Sequence, residues 1–169
     1  YFFHYYLIIH LPTLWNNICI KIIEPLSTHS FRIRHPEMNN ANLYNKAKSL
    51  QRRDAEDVLD AYMPLMQWKK GDTSLDIGCG DGDTTVNLLL KKMPPDCGVL
   101  MAVDRSPEML KYASKRYPHN NVVYQHMDIG FADVEKKHGK VYNHLFSFNC
   151  IHWIQDQTWV LLKKNYIDL

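Results

Sequence analysis

The stretch T-S-L-D-I-G-C-G-D-G-D, residues 73–83, decides how this chain folds. Apolar Leu75 and Ile77 flank Asp76, and three glycines follow at alternate positions, Gly78, Gly80 and Gly82. A helical pattern begins at Asp83. Strand, glycine turn and helix together let backbone approach a nucleotide-like ligand, because a side chain at any of these glycines would fill the ligand's volume. A second segment agrees with the first. V-L-M-A-V-D, ending at Asp104, reads as another buried strand with a carboxylate at its tip. Asp104 follows Gly82 at close to the roughly 20-residue spacing at which an acid meets a ribose hydroxyl in doubly wound folds.

Glycine spacing separates the candidate ligands. A dinucleotide fingerprint needs a third glycine at position 83, which is Asp83 here. The pattern D-x-G-x-G-x-G, with Asp76 two residues ahead of Gly78, instead resembles motif I of the class I S-adenosylmethionine-dependent methyltransferases. That ligand has no pyrophosphate to cradle. It carries a methionine ammonium, which an acid such as Asp76 can hold directly or through water.

The chain has 169 residues and a formal net charge of +2, which points to one domain and gives no electrostatic footprint for nucleic acid. Its lysine pairs, Lys69–Lys70, Lys91–Lys92 and Lys136–Lys137, fall around expected helix ends as solvated surface. The four cysteines, Cys19, Cys79, Cys97 and Cys150, show no C-x-x-C spacing. They fit a reduced, cytoplasmic setting better than a zinc site or a disulfide framework, and no metal is expected.

Residues 1–37 are anomalous. They are rich in Tyr, Phe, Ile, Leu and His, yet Pro12, Asn16, Asn17 and Lys21 break them well short of the roughly 20 apolar residues of a membrane span. A signal peptide's basic leader and cleavage site are also missing. The chain begins with Tyr, amphipathic sequence starts after Met38, and this composition is what A/T-rich codons yield. The segment therefore reads as a non-native or disordered extension of a domain covering 38–169, with a membrane anchor as the other reading. Membrane partners are not expected.

From 42 to 63 the pattern is helical, with Ala55, Val58, Leu59 and Tyr62 on one stripe and Arg52, Arg53, Glu56 and Asp57 facing outward. Pro64 ends or kinks it. Strands are expected at 73–77, 99–103, 121–125 and 141–148, and helices at 83–92 and 155–165. Ser106-Pro107-Glu108 marks the start of a further helix, with a hydroxyl cap, Pro at the first position and acid in the first turn. The alternation implies a parallel sheet.

In such sheets sites form at the carboxyl ends of the strands. Those ends hold Gly78 to Gly82 with Cys79, then Asp104, Asp128, and Asn149 to Trp153. Asp104 can accept from two ribose hydroxyls, which a neutral or cationic residue cannot. Arg105 and Ser106 can flank an adenine. Asp128 can accept from its amine, and Ile129 can cover a ring face. Asp104 and Asp128 also have plain readings as solvated loop acids.

Three segments narrow the reading: M-N-N-A-N-L-Y-N-K-A-K-S-L-Q-R-R-D at 38–54, L-D-I-G-C-G-D-G, and F-S-F-N-C-I-H-W-I-Q-D-Q after the last strand. Together they resemble the insect juvenile hormone acid O-methyltransferases, from Met38 to about Trp159. The resemblance implies a Rossmann-like α/β sheet with helices on both faces. It further implies S-adenosyl-L-methionine as cofactor, an isoprenoid carboxylic acid (farnesoic or juvenile hormone acid) as acceptor, and a role in juvenile hormone biosynthesis. Gln51 and Trp153 match the pair that holds the substrate carboxylate in that family. A carboxylate with a pKa of about 4 to 5 is already ionised at neutral pH, so methyl transfer needs a gripped nucleophile rather than a base. Amide and indole N–H groups grip without an ion pair deep enough to quench it. Gln51 as an exposed helix residue and Trp153 as core packing remain open, and His152 reads as structural. Family members are longer, and only strands one to four of their sheet are expected here, strands five to seven being absent. A methyltransferase with another acid acceptor and a non-catalytic cofactor- or partner-binding remnant are the other readings.

Overall fold

Runs of apolar, β-branched and aromatic residues make strands where both faces are covered. The computed structural model describes the backbone of residues 6–10, 19–23 and 41–48, and residues 49–128 and 142–150 in full. Two strands come first, β1 (Tyr6–His10) and β2 (Cys19–Ile23). The long helix α1 (Ala41–Tyr62) follows and ends in a tight turn at Met63–Leu65 that contains Pro64. Next come β3 (Ser74–Ile77), a π-helical turn Thr85–Leu89 running into α2 (Leu90–Lys92), β4 (Leu100–Asp104), α3 (Pro107–Arg116), β5 (Val122–His126) and β6 (His144–Phe148).

The strands form one sheet in the order β2-β1-β6-β3-β4-β5 among the described residues. β6, β3, β4 and β5 are mutually parallel, so the expected parallel α/β sheet is present. All of β3 and β6 is buried, as are the first four residues of β4. β5 is the half-solvated edge, with Val122 buried and Val123 exposed. Ser106 caps α3 as its sequence predicts, accepting from the Met109 N–H at 3.3 Å. The helical stripe is also as expected: Ala55 and Leu59 are buried in a core with Leu88, Leu89, Leu100 and Phe146, and Val58 and Tyr62 pack beside them. β6 starts three residues later than expected because Asn143 is committed elsewhere. Its Oδ1 accepts from Thr73 N at 2.8 Å, and its own N–H donates to Thr73 O at 2.9 Å.

Within residues 1–37 the described segments are two strands. β1 lies antiparallel to β6, pairing Tyr6 with Phe148 and His10 with His144, and β2 pairs with β1. A fully buried β6 leaves a row of backbone donors and acceptors on its free side, and a short continuous apolar run such as Y-L-I-I-H satisfies them as a strand without any period-two alternation. Ile129, His152, Trp153 and the helix expected at 155–165 lie outside the described residues. No helix among the described residues is long and apolar enough to cross a membrane.

At the amino ends of β3 and β6, sequence reading missed a buried polar lock. His144 is fully buried, and its Nε2 lies 2.9 Å from Asp72 Oδ2, which also accepts from Lys69 N at 2.8 Å. The Trp68 ring covers His144, with centroids 3.8 Å apart. Asp72→Ala strips the imidazole of this buried partner. The expected loss is about 1 to 3 kcal/mol, the scale of orphaning a buried polar group. It should appear as a lower urea midpoint at unchanged slope.

Candidate functional site

The glycine turn is hung on β4 by hydrogen bonds. Gly78 N and Cys79 N both donate to Val103 O, at 2.8 and 3.0 Å. Gly80 N donates to Asp104 Oδ2 at 2.9 Å, and the other carboxylate oxygen accepts from Ser106 N at 2.8 Å. Asp104 thus ties the turn to the start of α3. Each of its oxygens keeps one lone pair for a ligand hydroxyl. Gly78, Gly80 and Gly82 all have positive φ (76°, 54° and 81°), a region that costs other residues energy.

The three glycines do not share one role, which corrects the view that a side chain at any of them would fill ligand volume. A Cβ at Gly78 would collide with the Cβ and Sγ of Cys150, in the segment after β6. At Gly82 it would come within 2.9 Å of Ala113 Cβ and 3.0 Å of the Tyr124 hydroxyl. Those two glycines make room for protein. A Cβ at Gly80 would meet nothing within 4 Å. Gly80 alone of the three faces open space.

Asp76 is buried beneath the turn and accepts from the Thr85 hydroxyl at 2.7 Å. Burial pushes its carboxyl up to about 7; the Thr85 hydrogen bond opposes this and the charge of Asp104 adds to it. A cation beside Asp76 would be favoured, since it restores the charged form. Asn149 closes the neighbouring strand end with φ of 56°, and its Oδ1 is buried with no partner among the described residues. A buried acceptor with no partner among the described residues suits a ligand donor such as an ammonium. The thiols of Cys79 and Cys150 are held in the protonated form. Burial pushes Cys150 up to about 12, with the charges of Asp104 and Asp76 adding to it, and burial raises Cys79 further.

Other expected site residues stand at the rim. Arg105 is exposed, and its carbonyl lies 3.0 Å from His126 Nε2. Asp128 is half-buried, one residue past Met127, whose N–H donates to Asp104 O at 3.0 Å. Gln51 is half-buried on α1. Its neighbour Arg52 departs from expectation: instead of facing solvent, it reaches Asp83 Oδ2 at 2.6 Å. Sequence reading also missed Thr85, although a hydroxyl one helical turn beyond the glycines was a visible signal. Ile129 and Trp153 lie outside the described residues.

The open side of Gly80, the Asp104 carboxylate and buried Asp76 thus lie at the carboxyl ends of adjacent strands in a parallel α/β sheet. The chain matches a family described as a methyltransferase domain over residues 75–165. It is 43% identical over 122 residues to the juvenile hormone acid O-methyltransferase of Bombyx mori and 36% identical over 122 residues to that of Drosophila melanogaster. Those matches cover 71% and 70% of this chain but 43% and 41% of the relatives, so the chain spans less than half of their length. Among solved structures, the plantazolicin methyltransferase BpumL in complex with SAH is similar at a TM-score of 0.44 and 26% identity, over 60% of this chain and 36% of that one. The chain belongs to the class I S-adenosylmethionine-dependent methyltransferases and is related to the juvenile hormone acid O-methyltransferases.

Two outcomes follow from this geometry. Asp104→Ala removes both the ligand acceptor and the tether of the turn. S-adenosylmethionine binding, measured by calorimetry, should weaken by roughly 2 to 3 kcal/mol. For Asp76 the sign is set by its pKa, raised to about 7 from the ordinary carboxylate range. Across roughly pH 4 to 7 the folded state holds a proton the unfolded state has released, so this group weakens folding as pH rises through that window. Ligand binding runs the other way and should tighten about tenfold from pH 6 to pH 8. Asp76→Asn should abolish that binding trend and raise the melting temperature of the ligand-free protein more at pH 8 than at pH 5.

Proposed function

We propose that this chain carries the donor site of a carboxyl O-methyltransferase whose acceptor is a farnesoic or juvenile hormone acid. The observation that carries the reading is the attachment of α1 to the glycine turn. Arg52 donates to Asp83 at 2.6 Å, so the helix that carries Gln51 is attached to the glycine turn. A helix that stands against the donor turn is where an acceptor-holding amide is needed.

In this reading S-adenosylmethionine supplies an electrophilic methyl on a sulfonium. Asp76 and Asn149 accept from its ammonium, Asp104 from its ribose hydroxyls, and Gly80 leaves the space in which its backbone lies. Arg105, Asp128 and Ile129 border its adenine, and the turn residues Gly78, Cys79 and Gly82 shape the wall. Gln51 donates its amide N–H to the acceptor carboxylate, and Trp153 donates its indole N–H to the same group. Because that carboxylate is ionised at neutral pH, no residue has to take a proton, and the protein's work is orientation and exclusion of water. Every side chain named here lies within residues 38–169. The free thiols of Cys79, Cys97 and Cys150 are in keeping with a cytoplasmic enzyme.

Turnover with radiolabelled methyl donor tests this. Farnesoic acid should be methylated well above a polar acid such as malonate. Equal rates would point to another acceptor, and no transfer to any acid would leave a cofactor-binding protein. Gln51→Ala and Trp153→Phe should each lower kcat/KM for the isoprenoid acid roughly 10- to 100-fold, about 1.4 to 2.7 kcal/mol, with donor affinity within about threefold. The double variant should lose less than the sum, since a carboxylate freed by one donor is already misplaced for the other.

A further inference from the structure

Asp83 stands where a dinucleotide fingerprint would place its third glycine, and here the position gathers donors from three parts of the fold. Its Oδ2 accepts from Arg52 Nη1 of α1 at 2.6 Å. Its Oδ1 accepts from Asn87 Nδ2 at 2.7 Å and from the Tyr117 hydroxyl, at the end of α3, at 3.3 Å. Tyr117 O accepts in turn from the Tyr124 hydroxyl of β5 at 3.1 Å, and Tyr124 borders Gly82. A continuous polar web therefore runs from the edge strand, past the glycine turn, to α1.

The Asp83 side chain is 16% exposed and that of Arg52 38%. A carboxylate withdrawn that far from water requires donors. A partly exposed ion pair adds little net stability, so the interest of this one lies in what it joins. Gly82 N donates to Cys79 O at 3.0 Å and Asp83 N to Asp81 Oδ1 at 3.2 Å, so Asp83 moves with the turn. Arg52 fastens α1 to it, directly beside Gln51.

We propose that Arg52 is a positioning residue: through Asp83 it passes the geometry of the occupied donor turn to α1, and so aims Gln51 at the acceptor. This rests on the reading of Gln51 as acceptor-holding, but the coupling of turn to helix can be measured without any acceptor. Ligand packed against the open side of Gly80 restrains residues 78–83, and the ion pair extends that restraint to the helix. The coupling is a binding linkage, so it is reciprocal.

Hydrogen exchange of the backbone amides of residues 49–55, with and without S-adenosylmethionine, is the test on the full chain. Donor binding should slow their exchange by about fivefold or more. Arg52→Gln and Asp83→Asn should abolish that slowing, and Arg52→Lys should keep part of it. In Arg52→Gln, donor affinity and KM for the donor should each change by no more than the same factor, while KM for the acid rises. Absence of slowing in the unaltered chain, or slowing that survives Arg52→Gln, overturns the proposal. So does equal acceleration of exchange with and without donor in the variant, the mark of a purely structural contact. Failure of every carboxylic acid as acceptor would instead sink the role of Gln51 and leave the exchange result standing.

Discussion

The hydrogen bonds between the Asp104 carboxylate and the N–H groups of Gly80 and Ser106 are the contacts on which the rest of the site depends. They exist because β3 and β4 run parallel and in register, with Ile77 opposite Val103, so both strands deliver their tips to the same level. The turn leaving β3 then has its N–H groups beside the acid that ends β4. Backbone N–H groups buried without acceptors are costly, and Asp104 removes that cost at the place where the chain must leave the sheet. One residue thereby shapes the ligand turn, starts α3 and offers free lone pairs to a ligand.

The two ends of the sheet are built to different standards. At the amino ends, Asp72, His144 and Trp68 pack and pair, while Asn143 and Thr73 bond one another. At the carboxyl ends, Asp76 is held with its carboxyl pushed up to about 7, Asn149 adopts a left-handed backbone and its buried Oδ1 has no partner among the described residues. Buried oxygens without a partner occur at both ends among the described residues, Ser74 Oγ at the amino end and Asn149 Oδ1 at the carboxyl end, and only the latter lies beside the glycine turn's end of the sheet.

Membership in the class I methyltransferases accounts for the donor end more fully than for the acceptor end. The chain covers 43% of its Bombyx mori relative, and the glycine turn, Asp76 and Asp104 all lie within the described residues. α1 packs on the core through Ala55 and Leu59, and its Arg52 reaches Asp83 beside the glycine turn. The Lys92–Asp60 pair joins the same helix to the end of α2. The apolar stripe brings α1 to the sheet, and the Arg52–Asp83 and Lys92–Asp60 pairs tie it to the turn and to the end of α2.

Sequence by itself determined the features that reside in a few consecutive residues. The strand-turn-helix at 73–83, the Ser106 cap, the stop at Pro64 and the apolar stripe of α1 each follow from local propensity, sterics or period, and all are present. Only the tertiary structure decided that Arg52 turns inward, because its partner lies 31 residues away. The same holds for His144, whose acceptor is 72 residues distant, for Cys150 over Gly78, and for β1 on the free side of β6. Helical periodicity assigns a residue to a face, but a long charged side chain can bend from that face toward any carboxylate the fold brings near. The three glycines show the limit most clearly. Their spacing demanded close approach, and only the packed structure could decide that at Gly78 and Gly82 the approaching group is protein, while Gly80 alone faces open space.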